Sequence, residues 1–153
     1  MRGLLLSHRC SRRNDAASFR NQEPGSGDTP LTVVADAFVI ITPEYNHSFP
    51  APLKTAIDWF SKEWSARPVA FVAYGGNAGG LRAVEQLRQV FAELHSVTVR
   101  NAVGFAGAWE LFDATGQLRN PERHEKAANA MLDQLAWWAN VLKEARKVRP
   151  YPA

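Results

Sequence analysis

The stretch from Ala37 to Phe60 constrains the fold of this chain more than any other. Phe38-Val39-Ile40-Ile41 is a continuous apolar run, three of its four residues β-branched, with no polar alternation. That is the pattern of a strand covered on both faces, as in a parallel sheet flanked by helices. The run stops at Thr42-Pro43, passes through Glu44-Tyr45-Asn46-His47-Ser48, and restarts beyond Pro50 and Pro52. Proline is tolerated in the first helical turn, where the amide has no intrahelical acceptor. From there Leu53, Ala56, Ile57, Phe60 and Trp64 recur at helical spacing, an apolar stripe that faces the strand it follows. The segment therefore predicts a strand, a polar and aromatic loop, and a helix.

The remainder of the chain repeats this alternation. Arg67-Pro68 ends the helix, and Val69 to Tyr74 reads as a second buried strand. Gly75-Gly76-Asn77-Ala78-Gly79-Gly80 breaks it and leads into a helix with Leu81, Val84, Leu87, Phe91 and Leu94 on one face. Val97 to Val103 reads as a third strand, and the β-α-β-α-β series implies an α/β fold with a parallel sheet. The mixed stretch Gly104 to Arg119 is expected to be a long surface loop. A last helix is expected with Asn120 as N-cap, Pro121 in first position, and Glu122 and Glu125 favouring its positive end. Its apolar face runs through Ala127, Met131, Leu135, Trp138 and Leu142, and Pro150 and Pro152 stop it beyond Lys143, Arg146 and Lys147. At the other end, Gly3 to Ser7 shows a weak strand pattern, and residues 21–30 have the Pro, Gly and small polar residues of a linker, so ordered structure is expected after Pro30.

A chain of 153 residues fits one domain. The divisions expected are a basic irregular arm, or the remnant of a first strand and its loop, over 1–31, a folded domain over 32–148 and a tail over 149–153. The sequence pI of about 9.3 invites a nucleic-acid reading. Residues 1–20, however, hold five Arg and one Asp, a net charge of +4, while the whole chain carries +3, so the other residues are close to neutral. The basic arm has the composition of an irregular tail or of a transit peptide. No nucleic-acid partner is expected. No apolar run approaches the roughly 18 residues of a spanning helix, which predicts a soluble, cytoplasmic protein without membrane contact. Cys10 is the only cysteine, and no His or carboxylate pair has metal-ligand spacing, so no metal site is expected and redox chemistry would need an organic cofactor.

In an open parallel α/β sheet, ligands bind beyond the carboxyl ends of the strands. Two such loops stand out. In Thr42 to Ser48, Pro43 stiffens the exit, Tyr45 offers a flat surface, and Asn46 with nearby amides suits a heteroaromatic ring edge; the same residues also suit a plain polar turn. In Tyr74 to Gly80, four glycines let the backbone approach a ligand closely, or simply meet the needs of a tight turn. This second loop is neither a Walker loop nor a GxGxxG fingerprint. His47 and Ser48, beside the first loop, read more readily as structural or solvated than as catalytic, and Trp59, Trp64, Trp137 and Trp138 as packing or subunit-interface residues.

Taken together, Ala37 to Asp58 with its Pro43-Glu44-Tyr45-Asn46 motif and Pro52-Leu53-Lys54 helix start, then Trp64, Arg67-Pro68, Tyr74-Gly75-Gly76 and Gly79-Gly80-Leu81-Arg82-Ala83, resemble the NADPH-dependent FMN reductase family. The resemblance covers about residues 32–147. It implies a flavodoxin-like three-layer sandwich that binds FMN and oxidises NADPH, passing electrons to free flavin, a quinone or a similar small acceptor. It also implies a homodimer or homotetramer. Carried over, Pro43, Glu44, Tyr45 and Asn46 would line the flavin ring from one side, and Tyr74, Gly75, Gly76 and Gly79 would meet it from the other. No side chain is assigned a catalytic role, because the flavin carries the reaction. The departure lies at the amino end, where a strand, phosphate loop, helix and second strand have too little chain before Asp36. That strand-helix-strand part is expected to be incomplete, with the family's usual phosphate contacts either missing or improvised from Ser11, Arg12 and Arg13. An alternative follows from it: a flavodoxin-like remnant that no longer binds FMN and serves as an inactive or protein-interaction subunit.

Overall fold

The computed structural model describes residues 3–7 and 35–152. Expectations placed on 8–34, including the linker at 21–30 and the phosphate role of Ser11, Arg12 and Arg13, lie outside the described residues. Strands β1 (Gly3–Ser7), β2 (Ala37–Pro43), β3 (Pro68–Gly75) and β4 (Val97–Ala106) form one parallel sheet in the order β1-β2-β3-β4. Helices α1 (Ala51–Asp58), α2 (Leu81–Glu93), α3 (Ala108–Leu111) and α4 (Glu122–Val148) complete the fold. The weak strand pattern at Gly3 to Ser7 is thus realised, pairing Leu5 with Val39.

Alternation along β2 and β3 divides the core into two layers. Phe38, Ile40, Val69, Phe71 and Ala73 pack under α1 and α2 with Leu53, Ile57, Val84, Leu87 and Phe91. Ala37, Ala70, Val99 and Val103 face α4 through Met131, Leu135 and Ala139. The expectation that Phe38 to Ile41 is covered on both faces holds fully on the first face. On the second, Val39 and Ile41 stay half-buried, because α4 lies over β3 and β4 rather than squarely over β2.

The carboxyl end of α4 is tied to the start of β2. Lys143 Nζ donates to Asp36 at 2.7 Å, and Arg146 reaches both Asp36 at 3.4 Å and the Ala66 carbonyl at 2.6 Å. Asp36 is buried, so this pairing keeps a carboxylate inside the protein that would otherwise be costly there. Burial, and then the neighbouring Arg146 charge, lower the pKa of the Arg67 guanidinium in the same cluster.

Among the described residues β4 is an edge strand, and an edge invites unwanted pairing. Its middle is irregular: Val69 pairs with Thr98 but Phe71 pairs with Ala102, so Ala70 alone faces Val99 to Asn101. Side chains from both layers satisfy the displaced backbone. Arg88 of α2 donates to the carbonyls of Val99 (2.7 Å) and Arg100 (2.9 Å), and Gln134 of α4 accepts from the Asn101 amide (3.1 Å). The bulge kinks the edge and occupies groups that another strand would use.

Three expectations are corrected. The apolar stripe from Leu53 to Trp64 is not one helix: α1 ends at Asp58, and Trp64 lies in the turns that follow. The Trp64 indole N–H bonds back to the Ile57 carbonyl at 3.0 Å, which the ring reaches because the chain folds under it. Gly104 to Arg119 is not a long loop, since β4 continues to Ala106, α3 follows, and Phe112 bridges to Leu118. Asp113 closes the turn between them: its carboxylate accepts from Thr115 Oγ1 (2.6 Å) and from the amides of Thr115 and Gln117. The Thr115 side-chain bond, then the Gln117 amide, hold its pKa below the usual carboxylate range. Lastly, Asn120 is not the cap of α4. It sits at φ +50°, and Pro121 precedes the first helical residue, Glu122, with no side-chain cap.

Candidate functional site

Both loops singled out in the sequence emerge at the same end of the sheet, because β2 and β3 are parallel neighbours whose last paired residues are Pro43 and Tyr74. The Glu44 amide then donates to the Tyr74 carbonyl at 2.8 Å, extending the ladder one residue beyond the strands. Pro43 is buried and Tyr74 half-buried, so the ledge between the loops begins inside the protein and opens outward. Tyr45 and Ser48 exchange backbone hydrogen bonds at 2.8 and 2.9 Å around Asn46 and His47. Both turn residues take positive φ, +48° and +69°, and their side chains are exposed. Tyr45 itself is 45% exposed.

Helix α2 holds the first loop from the side. The Glu44 carboxylate accepts from the Arg82 amide (3.2 Å) and from its guanidinium (3.1 Å), at the positive end of a helix whose N-cap, Gly80, offers no side chain. One turn on, Gln86 donates to the His47 carbonyl (2.8 Å) and accepts from Ser48 Oγ (2.6 Å). The side chain of Glu44 therefore fixes the loop to the helix, leaving its backbone to border the ledge. His47 and Ser48 likewise act as holding points for the loop. Glu44→Ala is expected to cost about 1–2 kcal/mol of stability through loss of a helix-terminal acceptor, with Glu44→Gln recovering part of it; chemical denaturation of the three proteins checks this.

The second loop owes its shape to its glycines. Gly79 (φ +60°) is buried, and a Cβ there would meet the Ala106 amide at 3.0 Å. A Cβ on Gly75 would touch Glu44 Cβ at 3.3 Å. On Gly76 it would meet nothing closer than the Trp109 indole, 3.7 Å away. A side chain at Gly75 would crowd Glu44 of the first loop, so Gly75 and Gly76 keep open a strip that suits a flat ligand, while Gly79 serves the close approach of the loop to the end of β4. Of the residues named from sequence, Pro43, Glu44, Tyr45, Asn46, Tyr74, Gly75, Gly76 and Gly79 all belong to these two adjoining loops. Sequence reasoning missed Arg82 and Gln86, one turn apart on α2, whose polar character marked only a solvent face. It also missed Trp109, placed in the stretch taken for a loop.

A parallel sheet with helices on both faces and its open loops at the carboxyl ends defines the doubly wound α/β class, and β1-β2-β3-β4 matches the consecutive run 1-3-4-5 of the flavodoxin-like order. Residues 32–110 match the NADPH-dependent FMN reductase family, and the chain belongs to it. It is 35% identical over 111 residues to a probable NADPH:quinone oxidoreductase 2 of Oryza sativa, a match covering 67% of this chain and 54% of the relative. It is 36% identical over 116 residues to an NAD(P)H-dependent FMN reductase of Pseudomonas aeruginosa, covering 71% and 62%. The chain thus spans between half and two thirds of the length of these relatives. In fold it is similar to FerB, a flavoenzyme NAD(P)H:(acceptor) oxidoreductase of Paracoccus denitrificans (TM-score 0.50, 20% identity, 86% of this chain and 74% of that one). It is also similar to RosB, solved with 8-demethyl-8-formylriboflavin-5'-phosphate (TM-score 0.55, 17% identity, 78% and 52%). Among the described residues, no helix is long and apolar enough to cross a membrane.

Proposed function

We propose that residues 32–148 form an FMN-binding domain and that the chain acts as an NAD(P)H-dependent oxidoreductase with a quinone, free flavin or similar small acceptor. The observation that carries this reading is the strip at Gly75 and Gly76, free of side chains, beside the Pro43 to Asn46 loop, which the Glu44 amide joins to the Tyr74 carbonyl. Its residues fit a planar heteroaromatic ring: glycine backbone on one side, the flat exposed Tyr45 and the exposed Asn46 amide on the other. Pro43, Glu44, Tyr45, Asn46, Tyr74, Gly75, Gly76 and Gly79 are the residues that would hold it. The chemistry FMN supplies when bound is hydride acceptance from a reduced nicotinamide and electron delivery to the acceptor. The protein's own part is to fix the ring, which Arg82 and Gln86 do at one remove by holding the first loop on α2. Under this reading the protein is a cytoplasmic homodimer or homotetramer.

The alternative is a flavodoxin-like remnant without FMN, serving as an inactive or protein-interaction subunit. Titration of the full-length chain with FMN, read by flavin absorbance and fluorescence, separates the two. Saturable binding with a shifted visible spectrum, followed by NADPH-dependent bleaching of the flavin, is the expected result. A preparation that stays colourless through FMN addition and dialysis would remove the enzyme reading.

A further inference from the structure

Trp109 is the most exposed large hydrophobic residue of the two loops and the helix bordering the ledge, at 71%. A tryptophan left in water forgoes a large burial gain and keeps its ring face available for contact with another ring. Its position is nevertheless fixed. Helix α3 starts from Gly107, at φ +61°, whose amide donates to the Gly76 carbonyl at 3.1 Å. The same carbonyl accepts from the Gly79 amide at 3.0 Å, and the Glu110 amide closes the turn on the Gly107 carbonyl at 2.8 Å. The glycine strip and the Trp109 turn thus hang from one acceptor. Phe112, just beyond α3, packs on Phe105 of β4 with ring centroids 6.0 Å apart, fixing the other end of the turn. The indole edge lies 3.7 Å from the point where Gly76 would carry a Cβ, so the space kept clear by that glycine is bounded by the indole. Gly76 has no positive φ that would call for glycine on conformational grounds.

We propose that Trp109 is a binding residue for the planar ring seated on the Tyr74 to Gly76 ledge, its indole forming the wall on the β4 side; this rests on the FMN reading above. An electron-rich indole beside an electron-poor oxidised isoalloxazine favours an offset or edgewise ring contact. The contact is with the ring alone, so it is independent of how the phosphate is held.

The test titrates the full-length wild type, Trp109→Leu and Trp109→Phe with FMN and, separately, with riboflavin, which lacks the phosphate. Trp109→Leu is expected to weaken both ligands by about ten-fold, equivalent to ~1.4 kcal/mol, and by the same factor for each. Trp109→Phe is expected to stay within about three-fold of wild type and to lose the part of ligand-induced tryptophan quenching that Trp109 contributes. Since the side chain is exposed, the thermal midpoints of all three proteins should agree within a few degrees. Wild-type affinity in Trp109→Leu would overturn the role of Trp109 and leave the FMN reading standing. Absence of FMN and riboflavin binding in the wild type would overturn both.

Discussion

Gly80→Ala is expected to destabilise the protein by roughly 3–5 kcal/mol and, under the proposed FMN reading, to weaken FMN binding with it. A Cβ at this position would lie 2.5 Å from Ala73 Cβ, 2.6 Å from the Tyr74 amide nitrogen and 2.9 Å from the Ala73 carbonyl carbon. None of these is the far end of a flexible side chain, and Ala73 is fully buried, so relief requires moving the end of β3 or the start of α2. The φ of +84° adds backbone strain for any residue with a Cβ. Movement at Tyr74 would also disturb the bond from the Glu44 amide that joins the two loops. Gly76→Ala makes the comparison sharp, since its Cβ would meet only Trp109 at an ordinary contact distance. That variant is expected to change stability by less than about 1 kcal/mol. Urea denaturation at matched m-values reads both. Equal stability of the two variants would mean that the close approach of α2 to β3 is soft.

Trp64→Ala is expected to cost about 3–5 kcal/mol, the range for emptying a fully buried aromatic site. The ring has no exposed surface and is enclosed by Phe38 (centroids 4.5 Å apart), Phe91 (5.1 Å) and Phe60 (6.4 Å). It joins β2, α2 and the turns after α1, so its loss loosens three elements together. Trp64→Phe keeps an aromatic ring but gives up the indole bond to Ile57 and some volume, and is expected to cost about 1–2 kcal/mol. For a chain of this size Trp64→Ala corresponds to a fall of roughly 10 °C in Tm, measurable by calorimetry or circular dichroism. Removing this ring should also delete the most blue-shifted component of the tryptophan emission, an optical check that the intended residue was the buried one.

The strands and the two loops were legible because their signals are local and strong. Phe38 to Ile41 and Val69 to Tyr74 are short apolar runs bounded by proline or glycine, and such runs leave few alternatives to a buried strand. The Gly3 to Ser7 strand was only weakly legible, since a five-residue segment has little periodicity and is recognised by its pairing with β2. Trp64 shows how a correct pattern can mislead. Its spacing from Phe60 suits a helix, and its burial is real, but the ring is buried by turns that bring it back beneath α1. Gly104 to Arg119 failed for the opposite reason: a strand end, one helical turn and an Asp113-centred turn are each too short to show a period. At the site, the residue types of Pro43 to Asn46 and Gly75 to Gly79 were readable in sequence, but the direction of the Glu44 side chain was not. A carboxylate in a polar loop is equally free, as sequence, to face a ligand or a helix end.

The alternation of strands and helices and the two loops at strand ends are local properties, set by hydrophobic period, proline and glycine over a few neighbouring residues, while the family followed from the resemblance of the Pro43 to Asn46 and Tyr74 to Ala83 motifs. The folded chain was needed to show that Arg82 and Gln86 hold the first loop while Glu44 caps α2, and that Trp109 stands beside Gly76. Those outcomes depend on contacts between residues distant in the chain, such as Glu44 with Arg82 and Gly76 with Gly107. Such contacts exist only once packing has fixed where each strand ends, and no local pattern encodes them.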